Sequence, residues 1–265
     1  MKQVLEKLQQ LTGNKYIQLT EKGNKSVWIA LALAKDFLDK EKALIQDQGG
    51  WITYKQYPKK LGLGIVEIKT NHGLLDLNDL EDKADENSVL LTNSTPGYAA
   101  FEDMQKVAEV CKRKKCLLIN DVSGSIGTEA AKIGDVVFGS FGKWKPVNLE
   151  YGGFIATNND TYYQEFEPSY FDEHRYDELM KKLEELPERL KKFQEIRKKI
   201  LEDLQSFNII HKDKQGINVI IKFNDDEVKK RILDYCKENK LEFTECPMYI
   251  RINEPAVSIE VKRLE

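Results

Sequence analysis

The sequence predicts a three-layer α/β sandwich with a mostly parallel central sheet, followed by a small C-terminal α+β domain. Three observations carry that prediction. Short apolar runs alternate with amphipathic helical stretches through residues 26–157. The composition turns polar and aromatic near residue 158. A long charged stretch with a leucine-rich face then leads into a second, shorter group of strand and helix patterns.

The elements follow in order. Residues 4–11 have a helical pattern stopped by Gly13, and residues 26–40 form a second helix with Val27, Ala30, Leu31, Ala34 and Leu38 at helical spacing. Residues 43–46 and 64–69 are short strands, and Asp76 introduces a helix over residues 77–84. Residues 88–92 form a strand, residues 101–113 an amphipathic helix, and residues 116–121 a strongly apolar strand. Two more strands follow at residues 135–138 and 152–157, and residues 158–175 form a loop. From residue 176 to 204 the helical face carries Leu179, Leu183, Leu186, Leu190, Phe193, Ile196, Ile200 and Leu204. Pro187 is expected to break this stretch or to open a second helix. Residues 217–223 alternate as a strand, and Asn224 or Asp225 caps a helix to residue 239. Short strands at residues 242–244, 249–253 and 257–261 complete the chain. The expected division is a large cofactor-binding domain over residues 1–175, and a linking helix with the small domain over residues 176–265.

A chain of 265 residues can bury a sizeable core without a disulfide or metal staple. Its 41 basic and 44 acidic residues leave a net charge of −3, which argues against a dedicated nucleic-acid binder. No apolar run approaches the ~18 residues a membrane-spanning helix needs. The four cysteines, Cys111, Cys116, Cys236 and Cys246, form no CxxC pair, and no histidine cluster lies near them, so no metal site is expected. His72, His174 and His211 each stand alone in the sequence. The first residues are amphipathic and contain acids, without the apolar core of a signal peptide, so a cytoplasmic location with free thiols is the expectation.

In open α/β sheets, ligands bind beyond the carboxyl ends of the strands. The segments there are DQGGWIT after residue 46, Asp121 followed by VSGSIG, and GSFGKWKP after residue 138. EKGNKS lies just before the second helix. Together they supply an acid, two lysines, an aromatic plane and a helix N-terminus, a set suited to an anionic aromatic cofactor. Each has a plainer reading alone: an ordinary helix cap, a core tryptophan, a turn-capping aspartate, solvated lysines. Their joint order is what points to a site. In an extended loop, Lys143 and Lys145 would face one side and Trp144 the other.

With those residues in view, residues 5–157 resemble the large domain of pyridoxal-phosphate enzymes of the aspartate-aminotransferase fold (fold type I), and within them the DegT-type sugar aminotransferases. The resemblance runs through LTGNKYIQLTEKGNKSVWIALALA, NHGLLDLNDLED, LLTNSTPGYAAFEDMQKVAEVCKRKKCLLINDVSGS and GSFGKWKPVNLEYGGFIAT, in that order. In that family Ser-Phe is followed after three residues by the Schiff-base lysine, and after six more by Gly-Gly. Counting from Ser140 and Phe141 gives Lys145, with Gly152 and Gly153 at the matching distance. Other branches of the fold place the lysine three after the serine, which selects Lys143 instead.

The resemblance implies a pyridoxal 5'-phosphate enzyme, an aminotransferase acting on a small-molecule amine or amino acid, with the imine on Lys145. It implies that Asp121 keeps the pyridine nitrogen protonated, that Trp51 stacks on the ring, and that Lys25, Ser26 and Ser140 contact the phosphate. It also implies a homodimer with its sites at the subunit boundary. Three residues after the aspartate, where the family has Gln, His or Tyr, this chain has Gly124, with Ser123 or Ser125 as substitutes. MYIRINEP resembles the strand that carries a substrate-carboxylate arginine in many aminotransferases of this fold, making Arg251 the candidate. The alternative is a degenerate fold-type-I protein serving as a non-catalytic binding or scaffold partner.

Overall fold

The computed structural model describes residues 1–264. Its first elements are α1 (Lys2–Thr12), β1 (Tyr16–Thr20), α2 (Gly23–Ala32), β2 (Lys42–Gln46), α3 (Ile52–Lys60) and β3 (Gly64–Ile68). A small hairpin, β4 (Thr70–Asn71) and β5 (Leu74–Leu75), leads to α4 (Leu77–Lys83), β6 (Ser88–Asn93), α5 (Met104–Lys114), β7 (Leu117–Asp121), β8 (Val136–Ser140) and β9 (Gly153–Thr157). The remainder comprises α6 (Asp160–Gln164), α7 (Tyr176–Asp203), β10 (Asn208–Ile209), β11 (Val219–Lys222), α8 (Asp226–Glu238), β12 (Phe243–Cys246) and β13 (Ala256–Ile259).

Seven strands form the main sheet in the order β1-β9-β8-β7-β6-β2-β3. The run from β8 to β3 is parallel throughout, and β9 pairs antiparallel with both β8 and β1. The apolar runs are continuous because both faces are covered. Along β7, Leu117 and Ile119 enter a core with Val27, Ile29 and Tyr54 from α2 and α3, whereas Leu118 packs on the opposite face with Val107 and Val110 of α5. The same alternation places Phe138 with α2, and Val137 with Val4, Leu8 and Leu183 of α1 and α7.

The C-terminal sheet, in the order β10-β11-β13-β12, is antiparallel. Its core takes Phe193 and Ile200 from α7 together with Ile232 and Cys236 from α8. Helix α7 therefore serves both cores: Leu179, Leu183 and Leu186 pack on the large sheet, and Phe193 and Ile200 on the small one.

Several sequence expectations change. Pro187 neither breaks α7 nor starts a new helix; the helix is continuous over 28 residues. Pro187 is on the exposed side, where the carbonyl it leaves unpaired can be hydrated, and buried leucines before and after it hold the helix in place. Residues 249–253 form a turn rather than a strand. Helix α2 begins at Gly23 rather than Ser26, and its last turn widens into a π-helical segment, Leu33–Phe37. Strand β1 and helix α3 were not foreseen: β1 is a short edge element, and α3 carries Pro58 inside and buries only Thr53, Tyr54 and Pro58. Among the described residues, no helix is long and apolar enough to cross a membrane.

Candidate functional site

The carboxyl ends of β2, β7 and β8 open onto one cleft, which has two halves. The first, about 190 Å3, is lined by Lys22, Gly23, Asn24, Trp51, Asp121 and Lys145, with Ser123, Phe138 and Ser140 behind them. Asp121 ends β7 and is buried. Tyr54 Oη donates to Asp121 Oδ2 at 2.6 Å, and the Ser123 backbone N–H donates to Oδ1 at 2.8 Å. Burial, and then the adjacent Asp121, push the Tyr54 phenol well above its ordinary range, so it remains a donor. Ser123 Oγ in turn accepts from the Ser140 N–H at 2.9 Å, tying the ends of β7 and β8 together.

Helix α2 points its N-terminus into this half. Its cap residue, Lys22, has extended backbone and no side-chain cap bond, so the first N–H groups lack an intrahelical partner. A Cβ on Gly23 would lie 2.5 Å from Ser140 Cβ, so a bare glycine is what lets the helix start reach the end of β8. Trp51 flanks the opening, 37% exposed, with its indole N–H donating to Asn24 Oδ1 at 3.2 Å.

The lysine loop between β8 and β9 is a knot of turns. Trp144, Asn148 and Glu150 all have positive φ (62°, 46° and 62°), and Asn148 Oδ1 accepts from the Trp144 N–H at 2.6 Å. The loop is not extended, so the expected sharing of one side by Lys143 and Lys145 does not hold. Lys143 is exposed, with its amine 5.1 Å from the Trp144 ring centroid. Lys145 is half-buried and enters the cleft, where its Nζ donates to Tyr98 Oη at 3.0 Å and lies 5.0 Å from the Trp51 ring centroid.

The second half of the cleft, about 280 Å3, lies between this loop and the small domain. Tyr98, Lys143, Trp144, Lys145, Arg251, Lys262 and Arg263 surround it. Arg251 does not offer a free guanidinium. It is buried and bidentate to Glu260, with both contacts at 2.7 Å, and its Nη1 donates to the Ile250 carbonyl. Arg251 thus lines the cleft from a turn rather than a strand, with its guanidinium already paired. Burial works against the Glu260 charge, yet Arg251, Lys262 and Arg263 hold its carboxyl down at about 2.

The structure therefore brings Trp51, Asp121, Ser123, Ser140 and Lys145 to one cleft, with Lys143 at its edge. It turns Lys25 and Ser26 away: Lys25 pairs with Glu167 at 2.6 Å, and the buried Ser26 hydroxyl meets Thr20 Oγ1 at 2.8 Å. Lys22, Gly23 and Asn24 line the cleft at that helix start. Sequence reasoning missed Tyr54, Tyr98, Glu260 and Lys262. A signal for Tyr98 existed in Gly124, where a Cβ would lie 2.9 Å from Tyr98 Cε1, so the missing side chain is replaced by a ring from another loop. His72 and His211, taken as solitary, are neighbours with ring centroids 5.9 Å apart. A larger open depression of about 530 Å3, beside Lys40, Cys111, Cys116 and Asp135, lies toward the starts of β7 and β8, the end of a parallel sheet that ligands seldom use.

Comparison with known proteins agrees with this architecture. Residues 2–169 match the DegT/DnrJ/EryC1/StrS aminotransferase family, and residues 180–265 match the MJ1341 family C-terminal domain. No curated protein matches the chain in sequence. Among solved structures, GDP-4-keto-6-deoxy-D-mannose-3-dehydratase from E. coli with bound hydrated PLP superposes with a TM-score of 0.77 at 11% identity, covering 99% of this chain and 88% of that one. A GDP-4-keto-6-deoxymannose-3-dehydratase (ColD) mutant with bound GDP-perosamine gives 0.79 at 12% identity, covering 100% and 89%. 3-Amino-5-hydroxybenzoic acid synthase gives 0.73 at 13% identity, covering 100% and 87%. At such identities the likeness is one of fold.

Proposed function

Because the chain belongs to the DegT/DnrJ/EryC1/StrS aminotransferase family, we propose that it binds pyridoxal 5'-phosphate and transfers amino groups between small-molecule amine or amino-acid substrates. The observation that carries the reading is the placement of Lys145 and Asp121 in one cleft at the strand ends, beside a helix N-terminus held by a glycine. When bound, the cofactor supplies an amine-capturing aldehyde and an electron-withdrawing pyridine ring.

The residues present fit that group. The start of α2 at Asn24, with Lys22 nearby, suits a phosphate. The Asp121 carboxylate, fixed by Tyr54 and Ser123, would hold a proton on a ring nitrogen. Trp51 offers a face for the ring, and Lys145 Nζ is the amine placed to hold the aldehyde carbon and to move a proton at the reacting atom. Tyr98 orients that amine through its hydroxyl. The exposed Trp51 side leaves the cleft open, and a second copy of the chain, in a homodimer, would cover it.

Borohydride reduction of the protein with pyridoxal phosphate, followed by peptide mapping, tests the reading. The stable adduct is expected on Lys145, lost in Lys145→Ala and kept in Lys143→Ala. An adduct on Lys143 would reassign the lysine, and an adduct on neither would remove the enzyme reading. The second reading is a non-catalytic binding protein. Half-transamination with a panel of amino acids separates the two, since a binding protein converts none.

A further inference from the structure

The substrate-side half of the cleft has an unbalanced inventory. Among its lining residues the cations are Lys143, Lys145, Arg251, Lys262 and Arg263, and the one acid is Asp121. Most of these cations are engaged. Arg251 is bidentate to Glu260. Arg263 pairs with Glu242 at 2.9 Å and lies 4.4 Å from the Trp144 ring centroid. Lys145 is hydrogen-bonded to Tyr98, and Lys143 is exposed.

Lys262 differs from all of them. It is 5% exposed. Its amine reaches the Trp144 carbonyl only at 3.5 Å and the nearest carboxylate oxygen, Glu260 Oε2, only at 3.8 Å. The Tyr98 ring centroid is 4.5 Å away. A lysine amine has three donor positions when protonated. Here they border the cleft, and among the described residues none is a partner at normal hydrogen-bond length; burying such a group without a partner is costly.

We propose that this half of the cleft is an oxyanion subsite in which Lys262 Nζ receives a carboxylate or phosphate of the substrate, taking up a proton as the anion binds. The assignment of that anion to a substrate rests on the amine-transfer reading; the subsite itself does not. Lys262 thereby takes the role that sequence reasoning gave to Arg251.

The groups facing Lys262 account for the proton uptake. Burial acts first, and the charges of Arg251, Lys145 and Arg263 add to it, against the opposing pull of Glu260. Together they push the Lys262 amine down to about 6. Tyr98 presents its ring, and Asp121 lies farther along the same cleft. Near neutral pH the amine is mostly unprotonated. An incoming oxyanion supplies the missing partner and favours the ammonium form. Anion affinity should then fall about tenfold per pH unit above 6, because each binding event requires one proton.

Calorimetric titration of the full-length protein with succinate tests this, in two buffers of different ionisation enthalpy at pH 7.5. Wild-type protein should take up close to one proton per succinate bound, with affinity about tenfold weaker at pH 8 than at pH 7. Lys262→Arg should bind without proton uptake, since guanidinium stays charged. Lys262→Met, with folding checked by circular dichroism, should lose binding at least tenfold. Parallel titrations with inorganic phosphate tell a phosphate preference from a carboxylate one. Absence of succinate and phosphate binding in the wild type, or binding that Lys262→Met leaves unchanged, overturns the proposal, as does wild-type binding without proton uptake. Lys262-dependent binding in a protein that forms no borohydride-stable cofactor adduct would leave the subsite standing and remove the amine-transfer reading.

Discussion

The two halves of the cleft are built in different ways. The half we assign to the cofactor is assembled from the large sheet, at the ends of its strands and the start of the helix between β1 and β2. Asp121 closes β7, Ser140 closes β8 and Gly23 opens α2, so each is placed by backbone pairing that the sheet already requires. The half we assign to the substrate is assembled across the boundary between the two sheets. Tyr98 and Lys262 come from short 3-10 turns and Trp144 and Arg251 from separate loops, and one buried carboxylate, Glu260, organises the cations among them. Where topology sets a position, the chemistry can be read locally. Where charge balance sets it, the whole cluster must be known.

The comparison can be broken or sharpened by perturbing each half alone. The largest effect is expected at Asp121. Asp121→Asn retains the shape but removes the charge that would hold a proton on the cofactor ring. Turnover should fall roughly 10²-fold or more, with little change in succinate binding. Steady-state rates and calorimetry together check this, and unchanged turnover would remove Asp121 from the cofactor half.

Acid should act next, and on the other half. Glu260 sits at about 2 in the folded protein, below the ordinary carboxylate value of 4.5. A lowered folded value means stability that is present above 4.5 and lost as pH falls toward 2. A nominal shift of this size corresponds to about 3 kcal/mol. Thermal melts from pH 6 downward should hold until about 4.5 and then decline. Glu260→Gln should flatten its share of the slope, starting from a less stable protein, because Arg251 is then left without its charge partner. An acid slope identical to wild type would refute the assignment.

The smallest effect is expected at Gly23. An alanine Cβ would lie 2.5 Å from Ser140 Cβ and would part the helix start from the strand end. Overpacking of this kind costs about 1–2 kcal/mol, or roughly tenfold in cofactor affinity. Fluorescence titration with pyridoxal phosphate reads it, and succinate binding in the other half should be unaffected.

The same division explains what could be read from the sequence. The parallel strands were legible because each is a short apolar run bounded by turn residues; Asp76 announced α4 as its cap, and of Asn224 and Asp225, the two offered for α8, Asp225 is the cap. That Asp121 and the loop holding Lys143 and Lys145 lie beyond strand ends was legible from their order along the chain, and the preference for Lys145 came from the resemblance to the family. Edge strand β1 was missed because five residues carry too little alternation to stand out. Helix α3 was missed because Pro58 masks it, although the helix delivers Tyr54 to Asp121. Lys25 and Ser26 were named beside Asn24, and Lys22 and Gly23 were not, because the helix start lies three residues earlier than its apolar pattern suggests. Arg251 and Lys262 could not be told apart, since their difference is a partner: Glu260 bonds one closely and the other at 3.8 Å.

Helix α7 has a mechanical meaning beyond its packing. A continuous helix of 28 residues is a rod about 42 Å long, and this one is embedded at both ends in different hydrophobic cores. Neither core can melt without stripping one end of the rod, and a rod stripped at one end weakens its grip on the other. The two sheets are thereby coupled into one cooperative unfolding unit, and strain applied at either end is shared along the whole length of the molecule.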